Sequence, residues 1–146
     1  MEKSERTERE EKLAAALRSV IIIIVMILIV AATALTFAYY LQQHQARTAL
    51  ETAKTVRLAA WSVSAEAYGS GSKFSDMSSE TGFALGVPEK IRELSLCEGT
   101  FRLIRVSEKG YGIAEMAYSE NGITVIYTNA DGADTWRVFK QSALIS

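Results

Sequence analysis

The chain is poor in the residues that punctuate or cross-link a fold. Its 146 residues hold one cysteine, one proline and one histidine. A single Cys97 excludes an internal disulfide, and a buried apolar thiol is its simplest reading. A single His44 has no nearby partner for metal binding or catalysis, which leaves it the part of a polar interfacial residue. No glycine precedes Gly69 and the only proline is Pro88, so nothing breaks a continuous helix of about 55 residues from Leu13 to Tyr68. Charge is absent from Val20 to Leu41, 22 residues with a solid apolar block at Val20–Val30. The net charge of −1 lacks the basic excess of a nucleic-acid-binding surface.

The charge-free run sets the class. At about 1.5 Å per residue a helix of this length crosses a hydrocarbon core of about 30 Å once. Val20, Ile24, Leu28, Ala32, Phe37 and Leu41 mark the expected span. Tyr39 and Tyr40 fall where an interfacial aromatic belt is expected. Ala32-Thr33-Ala34 has the small-residue pattern of a signal-peptide cleavage site. Against cleavage, apolar character continues through Leu35, Phe37, Tyr39, Tyr40 and Leu41, and the preceding segment is mixed in charge. A retained anchor is the reading adopted. Arg6, Arg9, Lys12 and Arg18 lie in the 15 positions before Val20, against Arg47 and Lys54 in the 15 after Leu41. This bias predicts a cytoplasmic N-terminus and an extracytoplasmic C-terminal part of a single-pass cell-membrane protein.

Four segments follow: a charged cytoplasmic helix at 1–19, a transmembrane helix at 20–41, an outward extension of the same helix at 42–68, and a small α+β domain at 69–146. Residues 5–18 are rich in helix formers, with Glu5/Arg9 and Glu8/Lys12 at supportive spacing. Beyond the apolar run, Ala46, Ala49, Leu50, Ala53, Val56, Ala60, Val63 and Ala67 recur every three or four residues, an amphipathic stripe of mostly small side chains. That stripe suits close packing on the chain's own sheet, on identical helices, or on both.

Gly69-Ser70-Gly71-Ser72 reads as the helix terminus. Residues 73–86 read as a loop with at most one helical turn, in which Asp76 and Ser79 are cap-type residues. Residues 87–94 form a short helix with Pro88 at its first turn. Four strands are expected at 100–107, 111–118, 122–129 and 135–140, rich in β-branched and aromatic residues. The turns between them carry Glu108-Lys109-Gly110, Glu120-Asn121-Gly122 and Asp131-Gly132. Connections this short dictate a four-stranded antiparallel meander. Phe101, Leu103, Ile113, Ile123, Val125, Trp136 and Val138 are the expected inward residues. A domain of 78 residues after position 68 has a thin core of its own and needs the helix for stability.

No catalytic constellation stands out. The serines lie in no Gly-x-Ser-x-Gly elbow, and the Gly-Ser-Gly-Ser segment lacks the Gly-Lys-Ser/Thr of a phosphate loop. Asp76 with Glu80, and Asp131 with Asp134, do not fit a calcium loop and read as turn residues. The expectation is a non-enzymatic protein with no cofactor, no metal and no small-molecule substrate, whose partners are the lipid bilayer and other proteins.

A membrane-embedded N-terminal helix followed by an antiparallel meander resembles the type IV pilins and pseudopilins. The segment ARTALETAKTVRLAAWSVSAEAY at 46–68 is similar to the outer half of the long helix in Gram-positive pilin-like proteins. GITVIYTNADGADTWRV resembles their last hairpin. The resemblance implies a pilin-like fold and a structural role in a pilus or secretion-type filament, as subunit or accessory with self or machinery partners. Two family marks are absent: Arg18-Ser19 stand before the apolar run in place of the peptidase glycine, and the run holds no glutamate. The alternative is a bitopic membrane protein with an extracytoplasmic sensing or binding domain unrelated to filaments. In a third reading, the charged N-terminal helix at 1–17 binds a cytoplasmic partner.

Overall fold

The computed structural model describes residues 2–107 and 109–140, with side chains described from residue 9 onward. The order is α1 (Glu2–Ser70), α2 (Val87–Ser95), β1 (Thr100–Val106), β2 (Ile113–Glu120), β3 (Ile123–Ala130) and β4 (Ala133–Lys140). The architecture is α+β, as expected. Contacts divide the chain into two units, Met1–Gln42 and Gln43–Ser146.

Helix α1 runs unbroken for 69 residues because no Gly or Pro interrupts it before Gly69. It passes two residues beyond the expected end at Tyr68. Gly71, at φ 67°, takes the left-handed cap. The Ser72 N–H then bonds the Ala67 carbonyl at 2.9 Å and the Gly71 N–H bonds the Tyr68 carbonyl at 3.3 Å. This pair of bonds is a Schellman termination. The acid–base pairs Glu5/Arg9 and Glu8/Lys12 involve side chains outside the described set.

The four strands form one antiparallel sheet in sequential order β1-β2-β3-β4. Asn121-Gly122 and Asp131-Gly132 make two-residue hairpins with positive φ at all four positions. Such turns match the right-handed twist of the paired strands. In the first expected turn, Glu108 lies outside the described residues.

Two rungs carry the inner face: Phe101–Tyr118–Val125–Val138 and Leu103–Met116–Tyr127–Trp136. All of these except Val138 join the buried stripe of α1 in one cluster, with Phe74, Phe83, Val87 and Ile91. Each large side chain buried there contributes about 1.5–3 kcal/mol.

Three sequence-based placements need correction. Val138 shares the inner rung but is 40% exposed, because β4 has no neighbour beyond it in the sheet. β2 begins at Ile113, two residues later than expected. Its inward residues are Met116 and Tyr118, opposite in parity to Ile113, which is half-buried at the margin of the core. Alternation along β2 sets Met116 and Tyr118 opposite Leu103 and Phe101, and the irregular step at Arg105–Glu115 leaves the offset unchanged where Val106 pairs with Ile113.

Residues 73–86 hold no helical turn. Asp76 Oδ1 accepts from the Ser78 N–H at 3.0 Å, and Ser75 bridges Phe83. The Asp76 carboxyl is held below its usual range, chiefly by the Ser78 hydroxyl. The segment docks on the free edge of β1, where the Leu103 N–H bonds the Thr81 carbonyl at 2.8 Å. Gly82 permits that approach, since a Cβ there would lie 2.2 Å from the Leu103 oxygen. Phe74, Phe83 and Phe101 then stack edge to face at 5.5 and 5.8 Å. Helix α2 starts with Pro in its first turn and buries Val87 and Ile91, one helical turn apart.

Candidate membrane segment and packing face

The first candidate site is the apolar stretch of α1. All eleven side chains from Val20 to Val30 are 47–63% exposed. Leu35, Phe37, Tyr39, Tyr40 and Leu41 are exposed as well, and so is Ala32. The residues expected to mark the span (Val20, Ile24, Leu28, Ala32, Phe37, Leu41) therefore all lie on open helix surface. This is a helix near the N-terminus, long and apolar enough to cross a membrane. Polar side chains within it are satisfied locally. The Thr33 hydroxyl donates to the Ile29 carbonyl at 3.0 Å, and that of Thr36 to Ala32 at 2.8 Å. Such back-bonding removes the cost of placing a hydroxyl in an apolar medium.

The second is the face of α1 turned to the sheet. Ala49, Ala53, Val56, Ala60, Val63 and Ala67 are all buried, whereas Ala46 and Leu50 at its start are half-buried. Ala59 and Ser64 complete the buried face and escaped the sequence pattern. Ser64 does so because its hydroxyl donates to the Tyr111 carbonyl, which satisfies a polar group in the core. Small side chains let the helix backbone lie close to the sheet, so the large volumes come from the strand side: Leu103, Met116, Tyr118 and Tyr127.

A polar clamp locks this packing at the β3–β4 end. Arg57 Nη2 donates to Tyr127 Oη at 2.9 Å and to Asp134 Oδ2 at 3.2 Å. Tyr127 Oη donates to Asp134 Oδ1 at 2.7 Å, and Asn129 Nδ2 donates to the same oxygen at 2.6 Å. The guanidinium also lies 4.8 Å from the Tyr127 ring centroid. The hydrogen bonds from Tyr127 and then Asn129 hold the Asp134 carboxyl below its ordinary range. Burial, then the bond to Asp134, raises the Tyr127 phenol. Sequence reading placed Asp134 only in a turn. Its partners stand 5, 7 and 77 positions away, and no local pattern links all three to it.

The side of α1 turned away from the sheet exposes Leu58, Trp61 and Ala65. Tyr68 flanks them, 70% exposed, with its ring edge-on to Tyr111 at 5.3 Å. Helical spacing of three and four residues makes this a second apolar stripe, unmarked in the sequence reading because the first stripe dominates the periodicity.

The remaining chemistry-bearing residues stand apart. Cys97 is buried and unbridged. His44 lines a shallow depression with Gln45, Thr48, Ala49, Glu120 and Asn121. Among the described residues no group of three His, Cys, Asp or Glu side chains is placed to hold a metal ion. Comparison with protein-family models, with curated proteins and with solved structures finds no match for this chain.

Proposed function

We propose that the chain is a single-pass membrane structural protein of pilin-like architecture, a subunit or accessory of a type IV pilus or secretion-type filament. In this reading residues 20–41 lie in the bilayer, the N-terminal charged helix is cytoplasmic and the α+β unit is extracytoplasmic. Its work is mechanical: one helix supplies both the anchor and the spine of the folded unit.

The observation that carries the reading is the open surface of Val20–Val30. Eleven consecutive exposed large apolar side chains have no stable home in water. Lipid covers them without any further protein. The second apolar stripe, at Leu58, Trp61 and Ala65, supports a role in contact with other proteins rather than a free-standing domain.

Sodium carbonate washing of membranes tests the anchor: the protein is expected to stay in the pellet, and its release refutes the reading. Topology is tested in a Cys97→Ser background with Ser4→Cys or Lys73→Cys. A membrane-impermeant maleimide is expected to label residue 73 and spare residue 4 in intact cells.

A second reading, a permanent bitopic anchor for a binding domain, is favoured by Arg18-Ser19 before the apolar run and by the lack of a glutamate within it. The N-terminal residue of membrane-extracted protein separates the two. A start close to Val20 supports filament-type processing, and an intact Met1 supports the permanent anchor.

A further inference from the structure

We propose that two copies of the folded unit pair by a two-fold exchange, in which the α2 corner of each copy seats on the outer face of the other's sheet. The proposal rests on the reading of the chain as a protein that works in contact with other protein chains, and it names the partner as a second copy.

The α2 corner is built unlike an ordinary surface. Leu85, Leu94 and Leu96 are 103%, 58% and 84% exposed. Leu96 is moreover held at φ 53° and ψ 29°, a left-handed conformation that side-chain-bearing residues avoid. That residue closes α2, its N–H bonding the Arg92 carbonyl at 2.9 Å, and its apolar side chain stands in solvent. The acidic residues near these leucines in sequence, Glu89, Glu93 and Glu98, are all exposed. The nearby cations are engaged, Lys90 with Glu66 at 2.6 Å and Arg92 over the Phe101 ring at 5.8 Å. The corner is therefore a set of apolar knobs with an acidic rim.

The outer sheet face is its complement. Strand register places Arg102, Ala117, Ile126 and Arg137 in one rung across all four strands. Ala117 and Ile126 in the middle are half-buried, and the arginines at the two edges are exposed, Arg137 with its guanidinium 6.0 Å from the Phe139 ring centroid. Three strand spacings set the arginines about 14 Å apart, an apolar floor between two cationic walls. Glu115, the acid on this face, is taken up by Arg105 at 3.8 Å. Guanidinium groups so placed are suited to paired contact with carboxylates.

The two patches also adjoin one another. Arg92 of α2 and the exposed Glu80 line a single depression together with Arg102, Ala117 and Ser119 of the sheet. Self-complementary patches lying side by side are the requirement for a closed two-fold contact, in which each copy gives and receives the same interaction. Acid-rimmed leucines meet an arginine-edged floor twice over, and the charges on both sides are matched.

Charge exchange in the full chain, purified in detergent micelles, tests the pairing by light scattering. The wild type is expected to be a dimer at micromolar concentration. R102E/R137E and E89R/E93R are each expected to weaken it on the order of 100-fold, because like charges are then apposed. Mixed together under different tags, the two variants are expected to co-purify as a heterodimer, since both contacts are then again between opposite charges. That rescue also shows that each variant is folded. A monomeric wild type, or double variants that dimerise unchanged, overturns the pairing. Membrane retention after carbonate washing with no dimer overturns the pairing alone. A dimer formed by a chain that carbonate strips from membranes supports the pairing and refutes the membrane reading.

Discussion

Tyr127 and Asp134 meet diagonally across the β3–β4 hairpin, the phenol donating to the carboxylate at 2.7 Å. Their bond joins the sheet to α1, because Arg57 reaches both partners from the helix. The inner face of a meander with mostly small helical side chains against it offers few interlocking shapes. A directional clamp fixes the angle at which helix and sheet meet, and it does so on the edge strand, where hydrogen bonding to a neighbouring strand is missing on one side.

Asp134→Ala is expected to destabilise the folded unit by about 1–2 kcal/mol, since it strips the phenol of the buried Tyr127 and a guanidinium of their acceptor. Tyr127→Phe is expected to cost about 1 kcal/mol. The double variant is expected to cost less than the sum, because both changes remove the same bond. Chemical denaturation of the four proteins measures the coupling; strict additivity would show that the bond carries no stability.

The clamp also sets an acid limit. The Asp134 carboxyl is held below its ordinary value in the folded state, so the folded protein favours the ionised form. Its contribution is fully present above the unfolded carboxylate value of about 4 and is lost as pH falls through the lower folded value. Stability measured from pH 6 to pH 2 is expected to fall more steeply in the wild type than in Asp134→Asn, which has no proton to take up. Parallel curves would refute the assignment.

The parts of the fold written in local sequence were legible. The absence of Gly and Pro before Gly69 gives the long helix, the three- and four-residue recurrence of Ala49, Ala53, Val56, Ala60, Val63 and Ala67 gives its buried face, and Asn121-Gly122 with Asp131-Gly132 give both tight hairpins. What depended on distant pairing was not legible. Pairing with Phe101 and Leu103 puts Tyr118 and Met116 on the inner face of β2 and leaves Ile113 at the margin of the core. Ser64 and Asp134 read as an ordinary polar residue and a turn residue until Tyr111, Tyr127 and Arg57 were brought to them by the fold. The exposed leucines beside α2 carry no periodic signal, since two of the three lie outside the helix.

The small-residue stripe makes a size prediction. Ala60 is fully buried, whereas Ala65 lies on the open side of the same helix. Ala60→Leu forces extra methylenes between helix and sheet and is expected to cost about 1–3 kcal/mol or more. Ala65→Leu is expected to change the stability of the isolated chain by less than about 0.5 kcal/mol. Thermal unfolding of both variants in detergent measures the contrast. Equal effects would mean that α1 does not pack on the sheet through this face.

Leu96 separates a structural cap from a contact residue. Its N–H closes α2 by bonding the Arg92 carbonyl at 2.9 Å, and its backbone sits at φ 53° while the side chain lies 84% exposed. Left-handed geometry costs a leucine about 1–2 kcal/mol, and glycine adopts it freely. Glycine in turn gives the unfolded chain more freedom, which takes back about 0.5–1 kcal/mol. Leu96→Gly is therefore expected to stabilise the monomer by about 0.5–1 kcal/mol while it weakens the two-fold contact, because one apolar knob is gone from each copy. Thermal unfolding under conditions where the chain is monomeric, set beside the dimer dissociation constant, reads the two effects separately. A variant that gains monomer stability and keeps full dimer affinity would make Leu96 a strained helix terminus and remove it from the interface.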